Sequence, residues 1–148
     1  MAQNHKISIV CGRFNKKIVD QLLDGCVSTL KKSGYTDQQL QIEWVPGAFE
    51  LPLAAQLAGM QPDVSAVITL GAIIKGDTPH FDYICNACAQ GIAAVGLELE
   101  MPIVFGVLTT VNIEQANQRC GVSGPNQGID YANVAMDMIK FTDKMVVQ

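Results

Sequence analysis

Hydrophobic positions along the chain switch repeatedly between two periods. Residues 7–11 (Ile-Ser-Ile-Val-Cys) are a short, nearly unbroken apolar run closed by Gly12-Arg13-Phe14-Asn15, the pattern of a strand ending in a turn. From Ile18 the spacing lengthens. Ile18, Val19, Leu22, Leu23, Cys26, Val27 and Leu30 recur every three or four residues until Gly34, which predicts a helix with one apolar face. Residues 41–45 predict a second strand closed by Pro46-Gly47, and residues 50 to about 58 a helix stopped by Gly59. Residues 66–74 form the longest apolar run, broken only by Thr69 and Gly71, and predict the most buried strand. A loop at 75–80 and a helix from about 81 to 99 follow, then a fourth strand at 102–108 and a short helix at 113–120. After a Gly/Pro-punctuated loop at 121–128, Tyr131, Val134, Ala135, Met138, Ile139 and Met145 mark a last helix.

Strands that alternate with helices, each strand nearly continuous in its apolar residues, imply a parallel sheet covered on both faces. There is no internal repeat, linker or low-complexity tract, so one domain over residues 1–148 is expected. In open sheets of this kind ligands bind outside the carboxyl ends of the strands. Four segments are thereby brought to one edge: 12–15, 46–50, 75–80 and 109–112.

Composition narrows the classes. Charged residues make up only 16% of the chain, against about 25% in a typical soluble protein, so extensive subunit contact is expected. The net charge of −4 leaves no basic stripe for nucleic acid. The run at 66–74 is too short to span a bilayer. Residues 1–6 are polar with no apolar stretch behind them, so no signal peptide is seen and a cytoplasmic location is expected. The five cysteines, Cys11, Cys26, Cys85, Cys88 and Cys120, are an odd number and are expected as free thiols.

Candidate chemistry gathers at the third strand's end. Gly71 with Gly76, Asp77 and Thr78 resembles a phosphate-binding P-loop only superficially, because Asp77 stands where the lysine belongs and residues 72–74 are strand. Backbone N–H groups of Gly76, Asp77 and Thr78, at the amino end of the next helix, could still hold an anion; the alternative is an ordinary loop shaped by Pro79. His80 lies where proton transfer is expected. Cys85 and Cys88 have redox or metal spacing, but they lie beyond the first turn of their helix and no second pair completes a zinc site, so packed thiols are favoured. Phe14 and Phe49 could stack on a planar ligand or simply pack in the core. Arg119, near a helix end, could do no more than satisfy helix carbonyls.

Several long segments, in order, resemble the 6,7-dimethyl-8-ribityllumazine synthase family over nearly the whole chain. They are Gly12-Arg13-Phe14-Asn15, residues 44–50 (WVPGAFE), residues 71–83 (GAIIKGDTPHFDY), residues 102–110 (PIVFGVLTT) and residues 113–116 (IEQA). The resemblance implies a flavodoxin-like three-layer sandwich, four parallel strands with helices on both faces. It also implies the penultimate reaction of riboflavin biosynthesis, without metal or organic cofactor. In that reaction 5-amino-6-(D-ribitylamino)uracil condenses with 3,4-dihydroxy-2-butanone 4-phosphate, releasing phosphate and water. By the same resemblance Phe14 stacks on the pyrimidine, and the segment Ala48, Phe49, Glu50 binds the ribityl chain. Ala72, Ile73 and Ile74 line the pyrimidine edge, Gly76, Asp77, Thr78 and Arg119 take the phosphate, and His80 transfers protons. Phe105 and Arg119 come from a neighbouring subunit of a homopentamer. Decamers or icosahedral capsids are the higher forms, and riboflavin synthase is a functional associate.

The chain departs from the family pattern in places. Gln118 stands where many members carry an acidic residue, Gln127 where many carry a lysine, and Lys75 where an arginine is common. The two glutamines keep hydrogen bonding but remove charge, which leaves open a second reading: a catalytically reduced shell-forming or flavin-binding member. The chain also starts close to its first strand, so less of an amino-terminal arm is expected for the higher assembly.

Overall fold

The computed structural model describes residues 5–146; residues 1–4, part of the segment read above for a signal peptide and an arm, and residues 147–148 lie outside them. The elements are β1 (Lys6–Gly12), α1 (Lys16–Lys32), β2 (Leu40–Val45), α2 (Leu51–Gly59), β3 (Val64–Ile74), α3 (His80–Leu99), β4 (Ile103–Thr110), α4 (Ile113–Asn117) and α5 (Gln127–Met145). All strand pairs are parallel and the order is β2-β1-β3-β4.

Alternation along each strand distributes side chains to two cores. Ile7, Ile9 and Cys11 of β1 and Ala66, Ile68, Leu70 and Ala72 of β3 pack with α1 and α5. Val10, Val67 and Ile73 face the other way, onto Leu51 and Ala55 of α2 and Cys88, Ile92 and Val95 of α3. Both faces are therefore covered, and this is why the strands read as continuous apolar runs. The result is the expected flavodoxin-like three-layer arrangement. In α1 the buried residues are Ile18, Val19, Leu22, Gly25, Cys26 and Leu30, the face set by the helical spacing. Gly34 follows with φ 104°, a conformation that ends a helix cheaply only at glycine.

Thr69, which interrupts the apolar run, is wholly buried and fully used. Its hydroxyl donates to the Val104 carbonyl at 2.7 Å and accepts from the Gly106 N–H at 3.3 Å, so no polar atom is stranded. β4 runs two residues beyond the predicted 108, because Thr109 and Thr110 continue to pair with Ile73 and Ile74; β-branched threonines extend a strand as readily as valines. The last helix starts at Gln127, where Asn126 caps it by accepting from the Gly128 N–H at 2.8 Å.

From β1 the chain crosses to β2 on one side and later to β3 on the other. The carboxyl ends of β1 and β3 are the switch point of the sheet, where a crevice must open because the two connections leave in opposite directions.

Candidate active site

Past β1 the chain turns along the segment that follows β2: the Arg13 N–H donates to the Val45 carbonyl at 2.8 Å and the Phe14 N–H to the Pro46 carbonyl at 3.1 Å. This holds the Phe14 ring directly over Gly47, so closely that a Cβ there would lie 2.7 Å from the ring's Cε2. Asn15, in the left-handed conformation, donates its Nδ2 to the Ala72 carbonyl at 2.9 Å. The loops after β1, β2 and β3 are thus tied together around an open cleft of about 430 Å³. Its lining is Phe14, Asn15, Gly47, Ala48, Phe49, Glu50, Ala72, Ile73, Ile74, His80 and Ile84.

The two phenylalanines are 68% and 60% exposed, which excludes core packing and leaves both rings on the cleft wall. His80 is the first residue of α3 and Ile84 follows one turn later on the same face. Gly76, Asp77 and Thr78 form the exposed rim between Ile74 and His80. The Thr78 hydroxyl accepts from the His80 N–H at 3.4 Å, and Lys75 is anchored by its N–H to the Thr110 carbonyl at 2.9 Å.

Two residues assigned to the site by resemblance stand apart from it. Phe105 lies on the outermost strand β4, opposite Thr69, and is 40% exposed. Arg119 is half-buried beyond α4, with Nη1 donating to the Gln115 carbonyl at 2.8 Å, the helix-carbonyl role weighed from sequence. Neither lines the cleft of its own chain. The segment 109–112 also stays out of the cleft; Asn112 instead caps α4 by accepting from the Gln115 N–H. Arg119 is held where it is because its carbonyl accepts from the Gln127 N–H at 2.8 Å and Cys120 bridges to Asn126. The Gln127 side chain accepts from the Tyr131 hydroxyl at 3.0 Å. Burial, with Asp130 adding to it, pushes that phenol up to about 12, so it remains a donor.

Sequence reasoning missed Asn15 and Ile84 as lining residues. Asn15 belongs to the segment 12–15 expected at the sheet edge, but nothing singles it out there, because its long-range bond has no local signature. Ile84 had one, the i,i+4 spacing from His80.

The class that fold and cleft define is a doubly wound α/β protein with a cleft at the switch point and a histidine at the mouth of a helix. Residues 4–143 match the model of the 6,7-dimethyl-8-ribityllumazine synthase family. A 6,7-dimethyl-8-ribityllumazine synthase of Protochlamydia amoebophila (strain UWE25) is 46% identical over 140 residues, covering 95% of this chain and 81% of that protein. The chain belongs to the 6,7-dimethyl-8-ribityllumazine synthase family, and its activity is that of a transferase of riboflavin biosynthesis.

The cysteine pair takes no part in the cleft. Cys88 is buried in the core of α2 and α3, and Cys85 packs against it half-buried. Burial, then the neighbouring Cys85, pushes the Cys88 thiol up to about 11, and burial followed by Asp82 raises Cys85. Both directions oppose thiolate chemistry. Among the described residues no group of three or more His, Cys, Asp or Glu could hold a metal ion, and no helix is long and apolar enough to cross a membrane. Replacing both cysteines by alanine is expected to leave kcat within about twofold of wild type and to lower the melting temperature through the lost packing of Cys88. Steady-state assay of the purified double variant checks this; loss of turnover in a folded variant would reinstate the thiols as chemistry.

Proposed function

We propose that the cleft condenses 5-amino-6-(D-ribitylamino)uracil with 3,4-dihydroxy-2-butanone 4-phosphate, giving 6,7-dimethyl-8-ribityllumazine, phosphate and water, in a site that a neighbouring subunit completes. One observation carries this reading. Phe14, residues 48–50, residues 72–74 and His80 meet in one cleft, whereas Phe105 and Arg119, which belong to the same site by family pattern, line none of it.

In this reading the pyrimidine lies on the Phe14 ring with its edge along Ala72, Ile73 and Ile74, and backbone groups at Ala48 and Glu50, beside Phe49, hold the ribityl chain. The N–H groups of Gly76, Asp77 and Thr78, at the positive end of α3, hold the phosphate together with Arg119 of the neighbour, whose Phe105 closes the ring pocket. Much of the rate comes from holding amine and ketone in contact. The amine nitrogen attacks the ketone carbon and a first water leaves to form the imine; phosphate is then eliminated, and the ribityl-bearing nitrogen attacks the carbonyl so generated, closing the ring with loss of a second water. His80 moves protons between these steps. Stabilising the departing phosphate by backbone dipoles and a guanidinium supplies the electrostatic part.

The pentamer is supported by exposed apolar side chains that a lone chain would leave wet, among them Leu53, Leu57 and Met60 on α2 and Tyr83 and Leu97 on α3. The family match over residues 4–143 supports one domain over 1–148. The five cysteines, all unpaired, fit work in the reducing cytoplasm, where riboflavin synthase would take the product onward.

The test is complementation. Wild-type chain should form lumazine from the two substrates, and His80→Ala and Arg119→Gln chains should each be strongly impaired. Unfolded together and reassembled, the two variants should regain activity, because random mixing re-creates about a quarter of the sites with both residues intact. No product from the folded wild type sinks the reaction; normal wild-type activity without any complementation sinks the shared site.

A further inference from the structure

Asn15 stands at the amino end of α1 with φ 60° and ψ 43°, a conformation that side-chain-bearing residues seldom adopt. An asparagine at this place ordinarily folds back to accept from the first N–H groups of its own helix. Here the side chain makes no such bond; Nδ2 donates instead to the Ala72 carbonyl at 2.9 Å, 57 residues away in sequence. The strand register shows why that carbonyl is available. β1 pairs with β3 only as far as Cys11 opposite Leu70, and Gly12 goes on to pair with Val45 of β2. Beyond Leu70, β3 keeps β4 on one side, with Ala72 opposite Leu108, and has lost its strand partner on the other. The Asn15 amide supplies the missing rung at the switch point. A carbonyl can only accept, so the amide is fixed with its nitrogen toward Ala72.

This bond joins the two walls of the cleft. Asn15 follows Phe14 directly, and Ala72 opens the strand end that faces it; all three line the cleft. We propose that Asn15 is a positioning residue for the pyrimidine half of the site, setting the gap between the Phe14 ring and the edge of residues 72–74 in which the planar substrate lies. This rests on the condensation reading above. A flat ring held between an aromatic face and a backbone edge loses contact on one side when that gap widens, whereas the phosphate rim at Gly76 to Thr78 lies outside the tether.

Two variants separate tether from fold. Asn15→Asp keeps the shape but sets an acceptor against an acceptor, and Asn15→Gly removes the side chain while easing the left-handed backbone. Each is expected to raise KM for the aminopyrimidine about tenfold, the effect of losing one hydrogen bond that shapes the site. KM for the butanone phosphate and kcat at saturation should stay within about twofold. An unchanged aminopyrimidine KM in both variants overturns the proposal, as does an equal rise in both KM values. So does a glycine variant that behaves as wild type while the aspartate variant fails, since that outcome makes charge, not the tether, the cause. Wild-type enzyme assayed alongside keeps two failures apart: no lumazine from wild type refutes the reaction, and normal wild-type turnover with unmoved variants refutes only the role of Asn15.

Discussion

Replacing His80 by alanine is expected to lower kcat about a hundredfold, the low end of what a positioned proton-transfer group supplies, with KM for either substrate changed less than about threefold. The side chain is exposed at the first position of α3, so its removal opens no cavity and strands no buried partner. Its backbone N–H bond to the Thr78 hydroxyl survives, and alanine is a good helix former. The melting temperature should therefore hold. What is lost, in the condensation proposed above, is the imidazole that passes protons as imine formation, phosphate loss and ring closure succeed one another. Residual turnover remains because the cleft still holds both reactants together. Steady-state kinetics with each substrate varied in turn measures this. A large rise in KM with kcat unmoved would make His80 a binding residue and leave the proton carrier elsewhere.

The sheet was legible because physics writes it twice, in the apolar runs of residues 7–11 and 66–74 and in the glycines and prolines that close them. Its burial on both faces followed from the absence of alternation in those same runs. The position of the cleft was legible for a further reason: strand ends alone determine where a crevice opens in a doubly wound sheet. Less legible was anything depending on contacts far apart in sequence. The bond from Asn15 to Ala72 leaves no periodic trace, and nothing local in the sequence takes Phe14 out of the core, which its 68% exposure does. Thr109 and Thr110 fall outside the predicted strand at 102–108, though their pairing with Ile73 and Ile74 extends β4. Arg119 shows the limit in the other direction. Its bond to the Gln115 carbonyl is what local sequence suggested, and only a neighbouring chain can give it a different task.

Replacing Gly47 by alanine is expected to raise KM for the aminopyrimidine about 30-fold, within the 1–3 kcal/mol that stacking a base-like ring on an aromatic side chain is worth. Gly47 is extended, at φ −161° and ψ −171°, so the backbone accepts alanine without strain. The obstacle is the Phe14 ring, whose Cε2 would lie 2.7 Å from the new methyl and must swing away. Because that ring is largely exposed, moving it exposes little core and the fold should be nearly as stable as before; the loss falls on binding. A double-mutant cycle isolates the cause. Phe14→Ala alone should show a KM rise of similar size, and adding Gly47→Ala to it should change KM less than about twofold, since no ring remains to be displaced. Full additivity in the cycle would shift the blame to residues 48–50, whose backbone follows Gly47 directly, and would remove Phe14 from its stacking role. The geometry favours the non-additive result, because the ring atoms are the nearest contacts a Cβ at Gly47 meets.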